Sequence, residues 1–281
     1  MSRILLKPED HSRDSAGMRY VYPVISRRAG GVSVGINLNP NNACNWRCIY
    51  CQVPDLQRGG PPPVDLALLE RELHDFLVWA SSGDFMATRV PVGARRLVDV
   101  AFSGNGEPTS AIEFAEAVAV VQRVLTMHGL TEQIILRLIT NGSLLDRKAV
   151  QTGIARIGSA RGEVWFKLDA GTPAGFARIN GIRARPELVA RRLACCAGLA
   201  PTWVQTCWFR LDNELPAAHE VDAWLALLAP LAPLLAGVHI YSLARPSQQK
   251  EAPRLARIEA EWLEDLAQRV RQTGLTVHVS P

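Results

Sequence analysis

Strand-like and helix-like runs alternate along almost all of this 281-residue chain, and that alternation limits its fold more than any other feature. Strand candidates are residues 32–38, 98–103, 133–140, 163–169, 202–209, 237–243 and a short 276–279. They are rich in Val, Ile, Leu and aromatic residues, as strands with a buried face should be. Apolar stripes at helical spacing lie between them: Leu66, Leu69, Leu73, Phe76 and Leu77, then Phe114, Val118, Val121 and Leu125. Pro186 and Gly198 bracket Val189, Leu193 and Cys196, and Leu255, Ile258, Trp262, Leu266 and Val270 precede a stop at Gly274. Ser110 and Glu113 have the spacing of a capping box. Strand–helix repeats in series require a parallel sheet, because parallel neighbours need a crossover and a helix supplies it. The pattern leaves open whether that sheet closes, opens partly or stays flat. It divides the chain into an irregular, basic N-terminal extension (1–30) and one core domain (31–281).

The apolar stretch 223–238 is short for a membrane span and carries Pro230 and Pro233, so it reads as a buried helix, a turn and a strand start. The first residues, MSRILLKPEDHSRD, hold neither an apolar run nor a cleavage signal, and a cytoplasmic protein with no membrane partner is expected. A formal net charge of +4 fits a plain solvated surface better than an anionic partner.

Three of the six cysteines, Cys44, Cys48 and Cys51, fall within eight residues just after the first strand candidate. A loop there sits at the C-terminal edge of a parallel sheet, where ligands bind in such folds. Thiolates at these gaps can converge on one soft-metal centre. Structural zinc sites and ordinary [4Fe–4S] clusters take four protein ligands, and no fourth Cys or His lies nearby in sequence. One iron would keep an open position, as catalysis needs. The rival is a zinc site completed by His74, His219 or His239.

Cys-x3-Cys-x2-Cys with an aromatic residue, Tyr50, before the third Cys resembles the signature of the radical S-adenosylmethionine (SAM) superfamily. The resemblance implies a [4Fe–4S] cluster whose open iron chelates the amino and carboxylate groups of SAM. Reductive cleavage of the sulfonium C–S bond would then give methionine and a 5′-deoxyadenosyl radical. A second motif, Gly104-Asn105-Gly106-Glu107-Pro108-Thr109, ends the next strand candidate at the same edge. Its glycines allow close backbone approach to a ligand, and Glu107 could accept from an ammonium group. It resembles the family's Gly-Gly-Glu motif for the methionyl amine. Thr140 and Asn141 resemble a position near the SAM ribose or carboxylate. Tyr241, Ser242 and Leu243 end a strand where family members contact adenine.

Glu163, Trp165, Lys167 and Asp169 alternate onto one face too polar for helix packing, which points them inward. The overall likeness is to the small iron–sulfur oxidoreductases related to the tRNA wybutosine-synthesis enzymes. It is carried by Ser26-Arg27-Arg28, Gly35 to Leu38, the cysteine loop, Phe102 to Thr109, Lys167 to Gly171, Val204-Gln205-Thr206 and Tyr241 to Pro246. This implies an incomplete (β/α)6 parallel barrel with SAM across the strand ends, and a separate flavodoxin- or ferredoxin-type electron donor. No cysteine precedes Cys44, where the wybutosine enzymes hold a second cluster, so no second iron–sulfur cluster is expected.

Substrate chemistry is assigned to Lys167, which is also a cofactor-binding candidate, to Asp169 and to Cys207, the last as a hydrogen-atom donor if it faces the interior; core packing is its default. Cys195 and Cys196 read as packing residues. Arg137, Arg210 and Arg245 are candidate carboxylate or phosphate binders, His239 a proton-transfer candidate, and Arg27 and Arg28 a cover or contact for an anionic partner. The substrate class stays open among small molecule, peptide and RNA, as does the choice between oxidoreductase and transferase. The alternatives are a glycyl-radical-enzyme activating enzyme and a non-catalytic zinc or iron–sulfur module.

Overall fold

The structure, a computed structural model, describes residues 5–7, 16–26 and 30–281. In chain order the strands are β1 (Val21–Ser26), β2 (Gly31–Ile36), β3 (Ala43–Cys44), β4 (Gln57–Arg58), β5 (Leu97–Phe102) and β6 (Ile135–Thr140). There follow β7 (Gly162–Lys167), β8 (Thr202–Cys207), β9 (Phe209–Leu211), β10 (Gly237–Tyr241), β11 (Leu255–Arg257) and β12 (Val277–Ser280). The helices are α1 (Leu66–Ser81), α2 (Asp84–Arg89), α3 (Phe114–Met127), α4 (Lys148–Ser159), α5 (Pro173–Gly175), α6 (Pro186–Ala197), α7 (Ala218–Leu228) and α8 (Ala260–Arg271). A single π-helical turn, Phe176–Asn180, continues α5.

Eight strands form one sheet in the order β1-β2-β5-β6-β7-β8-β10-β12. All neighbours are parallel except β1 and β2, which pair antiparallel. The sheet curls into a half-barrel, the incomplete (β/α)6 barrel expected from the sequence, with β1 and β12 added at its two edges.

Side-chain alternation sorts the two faces of the sheet. In β7, Val164 and Phe166 point outward into the helix-covered core, whereas Trp165 and Lys167 line an inner cavity. Outside, Leu69, Leu73, Phe76 and Leu77 of α1 are fully buried, each contributing about 1.5–3 kcal/mol. No helix among the described residues is long and apolar enough to cross a membrane.

Four local readings change. Val21–Ser26, within the segment read as irregular, is a strand, because its apolar run meets the free edge of β2. The single strand expected over 202–209 breaks at Trp208, and β9 leaves to pair antiparallel with β11. Leu255, placed on the last helical stripe, belongs to β11; α8 starts at Ala260. The capping box does not form: Ser110 closes a 3-10 turn and donates to the Glu107 carbonyl at 2.5 Å, and α3 starts at Phe114 with no side-chain cap.

Trp224 of α7 is fully buried, and its indole N–H donates to the Leu168 carbonyl at 2.8 Å, just past the end of β7. Trp224→Phe leaves that carbonyl unpaired, so urea unfolding should show a loss of about 1–3 kcal/mol.

Candidate active site

The loop after β2 carries the three cysteines, and little of it is regular structure. Its shape comes from asparagines. Asn37 Oδ1 accepts from the N–H of Asn39 and of Asn105, each at 3.1 Å, and Asn39 Nδ2 donates to the Ala43 carbonyl at 2.9 Å. Asn42 takes a left-handed φ of 56° and donates from its side chain to the Pro54 carbonyl.

Two distant segments grip the cysteines. The π-helical turn offers the Asn180 and Ile179 carbonyls to the N–H groups of Arg47 and Ile49, at 3.0 and 2.9 Å. The segment after β10 reaches the loop carbonyls: Ser247 Oγ donates to Ile49, the Gln248 N–H to Cys51 and Gln249 Nε2 to Val53. Arg47 and Glu251 add a two-pronged ion pair at 3.0 and 3.1 Å.

A buried carboxylate sits behind the loop. Asp169, fully buried, accepts through Oδ2 from the Tyr50 phenol at 2.6 Å and Asn180 Nδ2 at 2.8 Å, and through Oδ1 from the Cys207 N–H at 3.1 Å. Lys167 Nζ lies 3.5 Å from the same carboxylate and donates to the Tyr50 hydroxyl. Asn180 Nδ2 also meets Cys48 Sγ at 3.2 Å. Burial, with Asp169 beside it, holds the Tyr50 phenol well above its usual range, so it is a neutral donor. Burial works against the Lys167 ammonium, but Asp169 together with Tyr241, Cys48 and Cys207 outweighs it and holds the group well above the usual lysine range. Burial pushes the Cys44 thiol up to about 11 and the Cys48 thiol up to about 12. Such thiols give up their protons readily only to a metal centre that compensates the charge.

The Gly104–Thr109 loop faces the cysteines from the other side. A Cβ on Gly106 would stand 2.1 Å from the Ala43 carbonyl oxygen, so glycine lets this loop lie flat against the cysteine loop. Glu107 is buried and its carboxylate is a brace: Oε1 accepts from Thr109 N–H, Thr109 Oγ1 and Thr140 Oγ1, and Oε2 from the Asn141 N–H at 2.7 Å. Burial raises its carboxyl, and these four donors oppose that rise.

Two cavities of about 410 and 290 Å³ open between these loops and share Tyr50, Cys51, Gly104, Lys167 and Arg245 as lining. The smaller is also lined by Cys44, Cys48, Asn105, Gly106, Glu107 and Asn141, and no histidine or fourth cysteine lines it. The larger is lined by Cys207, Tyr241, Ser242 and Leu243. Among the described residues no three His, Cys, Asp or Glu side chains close on a single metal ion; the thiols stand around a cavity instead. This donor set fits a cluster held by three cysteines with one iron left for another ligand.

Other candidates fall elsewhere. Thr140 is buried behind Glu107, and Asp169 lies outside both cavities although Lys167 lines them. The reason is that β7 ends at Lys167, so the inward alternation of Glu163, Trp165 and Lys167 stops before Asp169. Arg137 lies in the cavity floor between Asp99 and Glu163, 4.2 Å from the Trp165 ring centre. Arg245 lines both cavities and its Nε donates to Gln52 at 2.8 Å. Arg210 pairs with Glu259 near the surface. His239 stacks between Trp165 and Trp203, His74 meets His128 at 3.1 Å, and His219 is exposed beside Glu220. Cys196 is core and Cys195 packs against it. Arg27 and Arg28 lie outside the described residues. Sequence reasoning missed Asn180 and the Ser247–Glu251 clamp; only the Asn-Gly pair at 180–181, with Gly181 at a φ of 64°, hinted at a tight turn.

No protein-family model matches this chain. Among curated proteins, GTPase Obg of Brachyspira hyodysenteriae is 24% identical over 132 residues, 47% of this chain and 17% of that protein. Among solved structures, a radical SAM methyltransferase from Sphaerobacter thermophilus superposes with a TM-score of 0.59 at 15% identity, covering 92% of this chain and 68% of that one. SuiB of Streptococcus suis, bound to S-adenosylmethionine, superposes with a TM-score of 0.54 at 10% identity, covering 89% and 47%. The chain thus spans about half the length of SuiB and less than a fifth of the GTPase. At these identities the likeness is one of fold: the partial barrel of radical SAM enzymes.

Replacing Glu107 by Ala orphans buried donors on Thr109, Thr140 and Asn141, at about 1–3 kcal/mol for each unpaired group. Glu107→Ala should therefore unfold at clearly lower urea than Glu107→Gln, which keeps one acceptor oxygen.

Proposed function

We propose that this chain is a radical SAM enzyme in which Cys44, Cys48 and Cys51 hold a [4Fe–4S] cluster. The observation that carries the reading is the set of three thiols around one cavity, faced by the Gly104–Glu107 loop and joined by no fourth cysteine or histidine. A cluster there, with SAM on its open iron, supplies reductive cleavage of the sulfonium and a 5′-deoxyadenosyl radical.

The chain's own residues supply position and shelter. Gly104, Asn105 and Gly106 present backbone to the methionyl end, and Glu107 holds them against Thr140 and Asn141. Tyr241, Ser242 and Leu243 offer backbone to the adenine across the larger cavity. Asp169 fixes Tyr50 and Asn180 behind the cluster loop, while Lys167 keeps a charge at the cavity wall. Cys207, on that wall, is the candidate hydrogen-atom donor to a substrate radical. Within the class we place the chain in the branch of small iron–sulfur oxidoreductases related to the wybutosine enzymes, on the Gly-Glu-Pro-Thr form of the second motif and the Tyr241 to Pro246 segment. Thiols kept as ligands suit the reducing cytoplasm.

Against the zinc alternative, His74, His219 and His239, the histidines weighed as its fourth ligand, all have neighbours away from the thiols: His128, Glu220 and Trp203. The test is anaerobic reconstitution with iron and sulfide, then dithionite and SAM, with chromatography for 5′-deoxyadenosine. About four irons per chain and 5′-deoxyadenosine are expected, and both should vanish in each of Cys44→Ala, Cys48→Ala and Cys51→Ala. Bound zinc without iron would overturn the reading.

A further inference from the structure

The cysteine loop has a second face. A separate cavity of about 290 Å³ is bounded by Asn45 and Trp46 of that loop, by Ser143, and by Arg183, Arg185 and Arg192. The flanking stretch, residues 178–192, carries five arginines and one carboxylate, Glu187. Arg183 and Arg185 are exposed and form no ion pair among the described residues, whereas Arg191 and Arg192 share Asp146 at 3.7 and 2.9 Å, and Arg178 lines another cavity with Glu214 and Glu220. Two exposed guanidiniums without an ion pair among the described residues make the local field positive, although the whole chain has an excess of only +4.

This face borders the proposed cluster directly. The segment begins at the turn whose Ile179 and Asn180 carbonyls hold the cysteine loop and whose Asn180 amide touches Cys48 Sγ at 3.2 Å. Arg58 adds to the seam by donating to the Asn45 carbonyl at 2.5 Å. Trp46 and Asn141 line this cavity and also the smaller inner one, so the two share a wall at the cysteine loop.

We propose that the arginine face of residues 183–192, with Asn45 and Trp46 of the cysteine loop, docks an acidic protein that carries a low-potential flavin or iron–sulfur centre. The proposal rests on the radical SAM reading above. One electron passes from the reduced carrier to the site, and the carrier is oxidised by one electron; no bond forms or breaks in that step. RNA is the less favoured occupant. Single strands are recognised by stacking bases on accessible rings, yet residues 178–192 contain no aromatic residue, and the aromatics lining this cavity, Trp46 and Phe166, are buried. Charge complementarity at such a rim acts mainly on association rate and its salt dependence.

The test uses the reconstituted full chain and the double variant Arg183→Glu/Arg185→Glu, following 5′-deoxyadenosine from SAM. Dithionite, too small to need a docking face, should drive both proteins equally. Reduced flavodoxin or a reduced ferredoxin should drive the variant at least roughly tenfold more slowly at low salt. Added salt should slow the wild type and leave the variant unchanged, and Arg183→Lys/Arg185→Lys should restore the rate. The proposal fails if neither carrier drives the wild type faster than the Glu variant. It fails equally if the variant loses tRNA binding while its carrier-driven rate is untouched. If dithionite yields no 5′-deoxyadenosine in the wild type, the radical SAM reading itself fails, which the dithionite arm separates from a wrong docking face.

Discussion

The carboxylate of Asp169 has no contact with water, and an ion so placed persists only if nearby groups replace its hydration. Those groups come from four parts of the chain: Tyr50 from the cysteine loop, Lys167 from β7, Asn180 from the π-helical turn and the Cys207 N–H from β8. One charge therefore fixes the mutual position of four elements far apart in sequence. The Tyr50 phenol is set within two residues of Cys48 and next to Cys51, and Asn180 reaches Cys48 itself. Glu107 repeats the device on the opposite flank, tying the end of β5 to the end of β6. The cysteine loop is held between two buried carboxylates, each stable only with its loops in place.

This arrangement answers a difficulty any metal-binding loop faces. A loop that must point three thiols at one space cannot spend its backbone on helix or ladder bonds, yet its buried polar groups still need partners. Here the partners are borrowed: carbonyls from 179–180 meet its N–H groups, and donors from 247–249 meet its carbonyls. Both lenders sit at strand C-termini, which the parallel sheet gathers at a single edge.

Much of this was legible and some was not, for definable reasons. Six parallel strands and their helices could be read because each strand is an apolar run and each helix shows its stripe, as with Leu69, Leu73 and Phe76. β1 is an apolar run too, but Pro23 within it argues against a strand, and it forms because β2 offers a free edge. Glu163, Trp165 and Lys167 could be placed inward by alternation, but Asp169 lies past the strand end, where alternation no longer applies. The cysteines and the Gly104–Glu107 turn announce themselves by type and spacing. Ser247, Gln249 and Asn180 do not, since an amide that donates to a distant carbonyl looks in sequence like any other polar loop residue.

Charge is distributed differently on the two sides of the cysteine loop. Inside, cations stand beside acids: Arg137 lies between Asp99 and Glu163, and Lys167 is next to Asp169. Such pairs in a low-dielectric space give fixed dipoles with little net field, and they let a chamber exclude water without stranding a lone charge. Outside, Arg183 and Arg185 form no ion pair among the described residues. Exposed arginines cost little where they stand, because water solvates them, and a field that extends into solvent acts on what approaches. A loop with a neutral chamber on one side and a positive face on the other can separate two tasks that conflict. Radical chemistry needs a sealed site, and electron supply needs an accessible one. Trp46 and Asn141, which line both the inner cavity and the outer one, are the wall those two tasks would share.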